Sequence, residues 1–213
     1  MSSLFLLSLE GIGAIVTGVL AKWGAWYHVL YNFIGVIAVI LKIVELQLKS
    51  RSKRLVLAML SAVCWVIYFF LCGKVTASIT SIIAVIQSLI FLQRGKKAWA
   101  ESIFWLILFL GVQLGICVWN VLSGEGILVL LSVFAGLFGT MAYFVKNDRA
   151  YRILVLISLL FWVANSIVGT FFTDSASRLW AALASDVFGT TSAIIAIFRY
   201  DIIKAHKNKQ KNN

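Results

Sequence analysis

Six side chains in this sequence have types and positions that could do chemistry within otherwise apolar surroundings: Trp65, Tyr68, Gln87, Trp162, Asn165 and Asp186. Asp186 makes the strongest case. It lies ~12 Å inside an apolar segment that begins near Arg178, and at such depth an aspartate costs ~2.5–3.5 kcal/mol on insertion scales. Something must offset that cost. A hydroxyl on Ser185, on Thr190 or on a neighbouring helix would do so structurally, and Arg178, two turns outward, could reach back. In the functional reading Asp186 faces a central cavity near Asn165, where it binds a ligand hydroxyl or amine or titrates during a cycle.

The two tryptophans sit in matching surroundings. Ser61-Ala62-Val63-Cys64-Trp65-Val66 recurs as Ser158-Leu159-Leu160-Phe161-Trp162-Val163, and three positions after each tryptophan comes a polar residue, Tyr68 or Asn165. Both tryptophans fall ~10 Å inside the outer ends of their segments, deeper than the residues of an interfacial aromatic belt. Two aromatic walls with adjacent hydroxyl and amide groups suit a neutral polar ligand with flat or sugar-like faces. The plainer alternative is packing for the tryptophans and interhelical hydrogen bonding for Asn32, Tyr68, Gln87, Gln113 and Asn165.

The remaining polar residues suggest less. Lys42 and Glu45, spaced i,i+3, read as an ion pair snorkelling at the inner end of a helix. Glu10 reads as interfacial or as facing a neighbouring helix. Cys64, Cys72 and Cys117 lie in apolar segments without metal-ligand spacing and read as small core residues. His28 and His206 have no partners that would make a triad or a metal site. No nucleophile–base pair, metal cluster or phosphate-binding loop is visible, so the sequence points to no enzyme and implies no cofactor and no metal.

Apolar helices must position these residues. Of 213 residues, 62% are hydrophobic and 13% charged, against roughly 25% charged in an average soluble domain, and mean hydropathy is +0.97. A chain this small has too little interior to bury so much apolar surface in water. The formal charge of +11 sits in short clusters between apolar runs, which is how bilayer proteins carry charge; it implies lipid rather than nucleic acid as the surrounding partner. The runs at 27–48, 52–72, 75–93, 99–118, 124–145, 150–169 and 178–199 each approach the ~20 residues needed to cross a hydrocarbon core. They are continuous rather than alternating, which predicts helices and not barrel strands. Residues 4–21 form one more apolar stretch, able to span or to lie along the interface.

Charge sets the expected orientation. Lys49, Arg51, Lys53 and Arg54, then Arg94, Lys96 and Lys97, then Lys146, Arg149 and Arg152 occupy alternate connections, and Arg199 to Lys211 follow the last segment. The positive-inside rule makes these loops and the C-terminus cytoplasmic.

The matching Trp65 and Trp162 segments each follow a basic connection, each is preceded by a glycine-bearing segment, and each is followed by one further apolar segment. Three helices, one linker helix and three helices would give two parallel repeats about an axis along the membrane normal. The fold class expected is an all-α integral membrane protein with a 3+1+3 bundle. Its divisions are an N-terminal apolar helix at 1–26, a first repeat at 27–93, a linker helix at 94–123, a second repeat at 124–201 and a basic tail at 202–213.

Tyr68-Phe69-Phe70-Leu71-Cys72-Gly73, followed by Ala77 and by Ile82 through Leu92, resembles the second and third helices of YgjV-like bacterial inner-membrane proteins. Phe161-Trp162-Val163-Ala164-Asn165 and Phe198-Arg199 carry the same resemblance, which covers about residues 27–201 and leaves the first 26 as an addition. The resemblance places the chain in the MtN3/PQ-loop superfamily, with the SWEET sugar transporters and PnuC-type vitamin transporters as relatives, and it implies a 3+1+3 transporter-like fold. The YgjV-like pattern also carries an acid thirteen positions before the arginine matched by Arg199, the place of Asp186. Two departures stand out. The chain has no proline, so the Pro-Gln hinge of PQ-loop relatives has no counterpart and bending would fall to Gly35, Gly136 or Gly139. Where the YgjV-like pattern has an asparagine and an arginine one turn apart, Ala84 and Gln87 stand.

The function expected is transport of a small polar solute, such as a sugar or a vitamin-like molecule, by facilitation through a midplane site lined by Trp65, Tyr68, Gln87, Trp162, Asn165 and Asp186. The alternative is a membrane receptor or scaffold of the same fold that carries no flux. The bilayer and the solute are the expected partners, and a homo-oligomer is compatible with both readings.

Overall fold

A computed structural model describes residues 11–15, 17–19, 22, 24–73, 75–122, 129–171 and 180–202. Seven long helices follow in chain order: α1 Ala25–Gln47, α2 Arg51–Leu71, α3 Val75–Leu92, α4 Ile103–Leu122, α5 Val129–Phe144, α6 Asp148–Phe171 and α7 Trp180–Ile197, the last running into a π-helical turn at Phe198–Ile202. Among the described residues there is no strand. Consecutive helices of α1–α3 and of α5–α7 pack side by side. α7 also packs against α1, α3 touches α5, and α4 lies on α5.

Beside two hydrophobic clusters, around Leu46, Tyr151 and Leu159 and around Leu55, Phe91 and Phe109, the interior holds many small and polar residues, and the exterior is large and apolar. Ala38, Ala58, Ala62, Ala135, Ala142, Ala193 and Ala196 are buried together with Ser61, Ser88, Thr140, Ser158 and Ser192, whereas Val29, Phe33, Val36, Ile40 and Val44 leave an exposed stripe along α1. In water this arrangement would expose the wrong surface. In a bilayer it is expected, because small residues let backbones approach closely, hydroxyls bond across helices and lipid covers the large side chains. Among the described residues four helical stretches are long and apolar enough to cross a membrane: Val29–Gln47, Arg51–Leu71, Asp148–Val168 and Ala182–Asp201. Of the seven expected spans, four are met at full length within the described residues. Ala77–Leu92, Phe104–Trp119 and Leu130–Phe144 are apolar but shorter.

The linker segment expected from residue 99 is divided. A single turn, Ala98–Glu101, precedes α4, with the break at Ser102. Ser102 has an extended ψ of 133°, and its hydroxyl accepts the backbone N–H of Phe104 at 3.2 Å. It therefore caps the N-terminus of α4 and restarts the helix. Of the N-terminal stretch, residues 11–15 and 17–19 are helical, and a Cβ on Gly13 would lie 2.5 Å from the Gly73 carbonyl oxygen, so the two backbones touch. Glu10, Arg178 and the tail beyond 202 lie outside the described residues, as does the question of whether 4–21 spans.

Serine hydroxyls join neighbouring helices. Ser61 donates to the Ala38 carbonyl at 3.0 Å, and Ser158 donates to the Ala135 carbonyl at 2.7 Å. In both pairs the partners are 23 residues apart, and both members shift by the same amount between the two halves of the chain (38 to 135 and 61 to 158, each 97). Ser78 likewise joins α3 to the Val66 carbonyl of α2, and Ser192 joins α7 to the Ile43 carbonyl of α1.

Candidate functional site

The end of the bundle that carries the basic connections is tied down by arginines. A helix ends with carbonyls that lack intrahelical partners, and α1, α3 and α5 all end here. Arg54 donates to the Leu48 and Lys49 carbonyls after α1, at 3.1 and 3.0 Å. Arg51 donates to Phe91 of α3 and Tyr143 of α5, at 3.2 and 3.1 Å. Arg94 reaches the Phe144 carbonyl and lies over its ring. Arg54 also pairs with Asp148, and Arg152 holds Asp201 through two hydrogen bonds of 3.0 and 2.7 Å. The latter pair fixes the π-helical turn, and the Tyr200 hydroxyl of that turn bonds the Gln47 carbonyl at 2.9 Å.

One layer deeper lies a cluster that the spacing of Lys42 and Glu45 only half announced. The two do pair, at 3.1 Å, but they do not snorkel. Glu45 is fully buried, and its other carboxylate oxygen accepts the Tyr151 hydroxyl of α6 at 2.5 Å. Arg54 lies 4.5 Å from the centre of the Tyr151 ring, and Tyr143 of α5 interacts with Lys42. Glu45 turns inward because an ammonium and a hydroxyl wait for it there, which leaves little of its charge unmatched.

Farther from the basic end, Asp186 stands on α7 with Ser166 of α6 opposite. The Ser166 hydroxyl donates to Asp186 Oδ2 at 2.5 Å, while Thr190 bonds the Asp186 backbone carbonyl rather than the carboxylate, at 2.7 Å. The partner is the residue after Asn165, on the helix where Asn165 was expected to meet it. Lys42 approaches from α1: its Cγ would lie 3.8 Å from a Cβ on Gly189, one turn along α7 from Asp186, and the ammonium is within electrostatic reach of the carboxylate. Three helices, α1, α6 and α7, thus converge on this acid.

The other expected residues fall in three places. Trp65 meets Tyr68 edge-on at 5.2 Å and stacks with Phe69 at 5.4 Å. The buried Tyr68 also meets Tyr31 of α1, which meets Tyr27 in turn, so this tryptophan belongs to an aromatic cluster between α1 and α2. Gln87 is buried and donates to Thr140 Oγ1 at 3.1 Å, on which Gln113 of α4 converges at 2.6 Å. That places Gln87 at the junction of α3, α4 and α5. Trp162 and Asn165 are half-buried on α6, and the neighbouring Phe161 stacks on Phe134 and Phe138 of α5. Among the described residues no group of three His, Cys, Asp or Glu side chains could hold a metal, and Cys64, Cys72 and Cys117 form no disulfide there.

The family model described as Imp-YgjV, bacterial inner membrane protein, matches residues 29–200. The chain belongs to this family. The match spans α1 to the π-helical turn and so contains the arginine-capped end, the buried Glu45 cluster and the Asp186–Ser166 pair. Membership agrees with the inside-out packing and makes this a membrane protein of a bacterial inner-membrane family. No curated protein and no solved structure matches the chain.

Proposed function

We propose that this protein transports a small polar solute across the bacterial inner membrane through a site between its two halves, α1–α3 and α5–α7. The observation that carries the reading is Asp186, a carboxylate within an apolar span, facing α6 and α1 and held in the described surroundings by the Ser166 hydroxyl. An acid retained at such depth marks a ligand or ion path by default, because the membrane makes it costly without a use. The equal offset of the Ser61–Ala38 and Ser158–Ala135 bonds supports reading the halves as parallel repeats joined by α4, an architecture that puts a site at the repeat interface near the midplane. This is the 3+1+3 arrangement, and with it goes kinship to the PQ-loop transporters.

In this reading Asp186 and Asn165 contact the solute, Trp162 and Trp65 supply aromatic walls, and Tyr68 borders the Trp65 wall. Gln87 acts through the α3–α5 junction. The arginine-capped end faces the cytoplasm, as the positive-inside rule directs. No bond is made or broken in the solute, so the protein is not an enzyme. Reconstitution into proteoliposomes tests the proposal: sugars, nucleosides, amines and vitamins are offered as labelled solutes, and at least one should enter faster than into empty vesicles. Asp186→Asn and Trp162→Ala should remove that flux while the protein stays folded. Uptake unchanged by either variant, or no uptake of any class, contradicts the proposal.

A further inference from the structure

Three acidic or basic side chains lie within the described spans beneath the arginine layer of the basic end: Lys42, Glu45 and Asp186. They sum to one cation and two carboxylates. Glu45 takes the cation, since the Lys42 ammonium is 3.1 Å from it, and it also takes the Tyr151 hydroxyl. Arg54 and Arg152 are engaged by Asp148 and Asp201 at the basic end. Among the described residues Asp186 is left with a neutral hydroxyl, and the nearest cation is turned toward another acid.

The atoms around this unmatched charge have one kind of bonding left to offer. An ionised carboxylate only accepts hydrogen bonds and has about four lone-pair directions; one is used by Ser166. The Ser166 hydroxyl, having donated its hydrogen, can only accept further bonds. An acceptor-only surface asks for a donor-rich partner. One turn along α6 from Ser166, on the same helix face, is Trp162, half-buried. An indole is the best of the aromatic faces for a cation.

Resting on the transport reading above, we propose that the Asp186–Ser166 site takes a solute bearing one positive charge, an ammonium or guanidinium group, which bonds the carboxylate while its substituents pack against Trp162. Lys42 sets the limit at one. Its ammonium repels a second positive charge on the solute, so that monocations are selected over dications. The positive charge, rather than hydroxyl-bearing faces alone, is the recognised feature.

Matched solutes test the charge directly. The purified full-length protein is heated with choline or with its uncharged isostere 3,3-dimethylbutan-1-ol, with butylamine or butan-1-ol, with putrescine as the dication, and with glucose. The expected result is a saturable rise in Tm with choline or butylamine at concentrations at least about tenfold below those needed for the alcohols, with putrescine weaker than butylamine. Asp186→Asn should erase the difference between amine and alcohol, and Trp162→Ala should weaken choline binding. Should Asp186→Asn fail to fold, Ser166→Ala takes its place and should reduce the amine preference, and the wild-type ranking stands as a readout by itself. If the alcohols or glucose stabilise as well as the amines, or if Asp186→Asn keeps the preference, the cationic-solute inference falls while transport of a neutral solute stands. If no compound binds and no solute enters proteoliposomes, both fall together.

Discussion

Two acids in the same bundle are treated in opposite ways. Glu45 has an ammonium at 3.1 Å and a tyrosine hydroxyl at 2.5 Å, and it sits beneath a layer of arginines that cap three helices. Among the described residues Asp186 has one serine hydroxyl at 2.5 Å and a lysine that is engaged elsewhere. The first acid is matched and holds α1 to α6. The second keeps unused acceptor capacity where three helices meet. A charge that is fully partnered contributes to cohesion, and a charge that is not is available for a ligand, so the contrast separates the part of the molecule that holds from the part that binds.

Glu45→Ala should break the holding part most severely. It strands the Lys42 ammonium and the Tyr151 hydroxyl in the interior, and removal of one member of a buried pair costs about 3–5 kcal/mol; thermal unfolding in detergent measures it. Asp186→Asn, by contrast, removes a carboxylate that has no ion-pair partner among the described residues, so it should leave unfolding nearly unchanged. Equal losses from both variants would erase the distinction between the two acids.

Gly136→Ala comes next. The added Cβ would lie 2.7 Å from Gln113 Oε1, a buried acceptor without a partner. Forcing the amide away also disturbs its bond to Thr140, and overpacking of this kind costs about 1–3 kcal/mol. The damage should stay at the junction of α3, α4 and α5 and leave ligand affinity at Asp186 intact, as a shift in unfolding without a shift in Kd would show.

Smaller still are the serine bonds that recur at equal offset. Ser61→Ala and Ser158→Ala should each cost about 0.5–1.5 kcal/mol, and similar losses would support the two halves as copies of one design. A several-fold disparity would argue that the match is accidental.

The smallest effect is at the surface of the basic end. Hydrogen bonding from Lys146, with the nearby charges of Lys146 and Arg94 adding to it, holds the Glu101 carboxyl below its usual 4.5. A depressed acid adds stability that is present above the unfolded value and is lost as pH falls through the folded one. Unfolding of the wild type should therefore lose a slight increment below about pH 4.5, one absent from Glu101→Gln.

What the sequence made legible follows from its own periodicities and costs. The helices appear because apolar runs of spanning length have few other uses, and Asp186 appears because depth makes an acid expensive. The Ser61 and Ser158 motifs were visible as a repeated hexapeptide, although nothing in the sequence said that each serine would reach a carbonyl 23 residues back. Pairings across helices were hidden. Tyr151 meets Glu45 across 106 residues and Ser166 meets Asp186 across a connection outside the described residues; in each case the partner depends on how helices rotate against one another. Gln87 looked like a site residue because an amide in a membrane helix signals function and glue alike, and only its bonding to Thr140 places it at a junction. The short turn at Ala98–Glu101 was missed because the serine that ends it sits within an apolar run.

Transport through the proposed site requires that Asp186 line a path open in turn to both sides of the membrane. Asp186→Cys, in a chain without Cys64, Cys72 and Cys117, tests it most directly through reaction with a membrane-impermeant thiol reagent in right-side-out and inverted vesicles. A transporter predicts modification from both faces, slowed by any solute that also raises Tm. Modification from neither face, or from one face only under every condition, would contradict it.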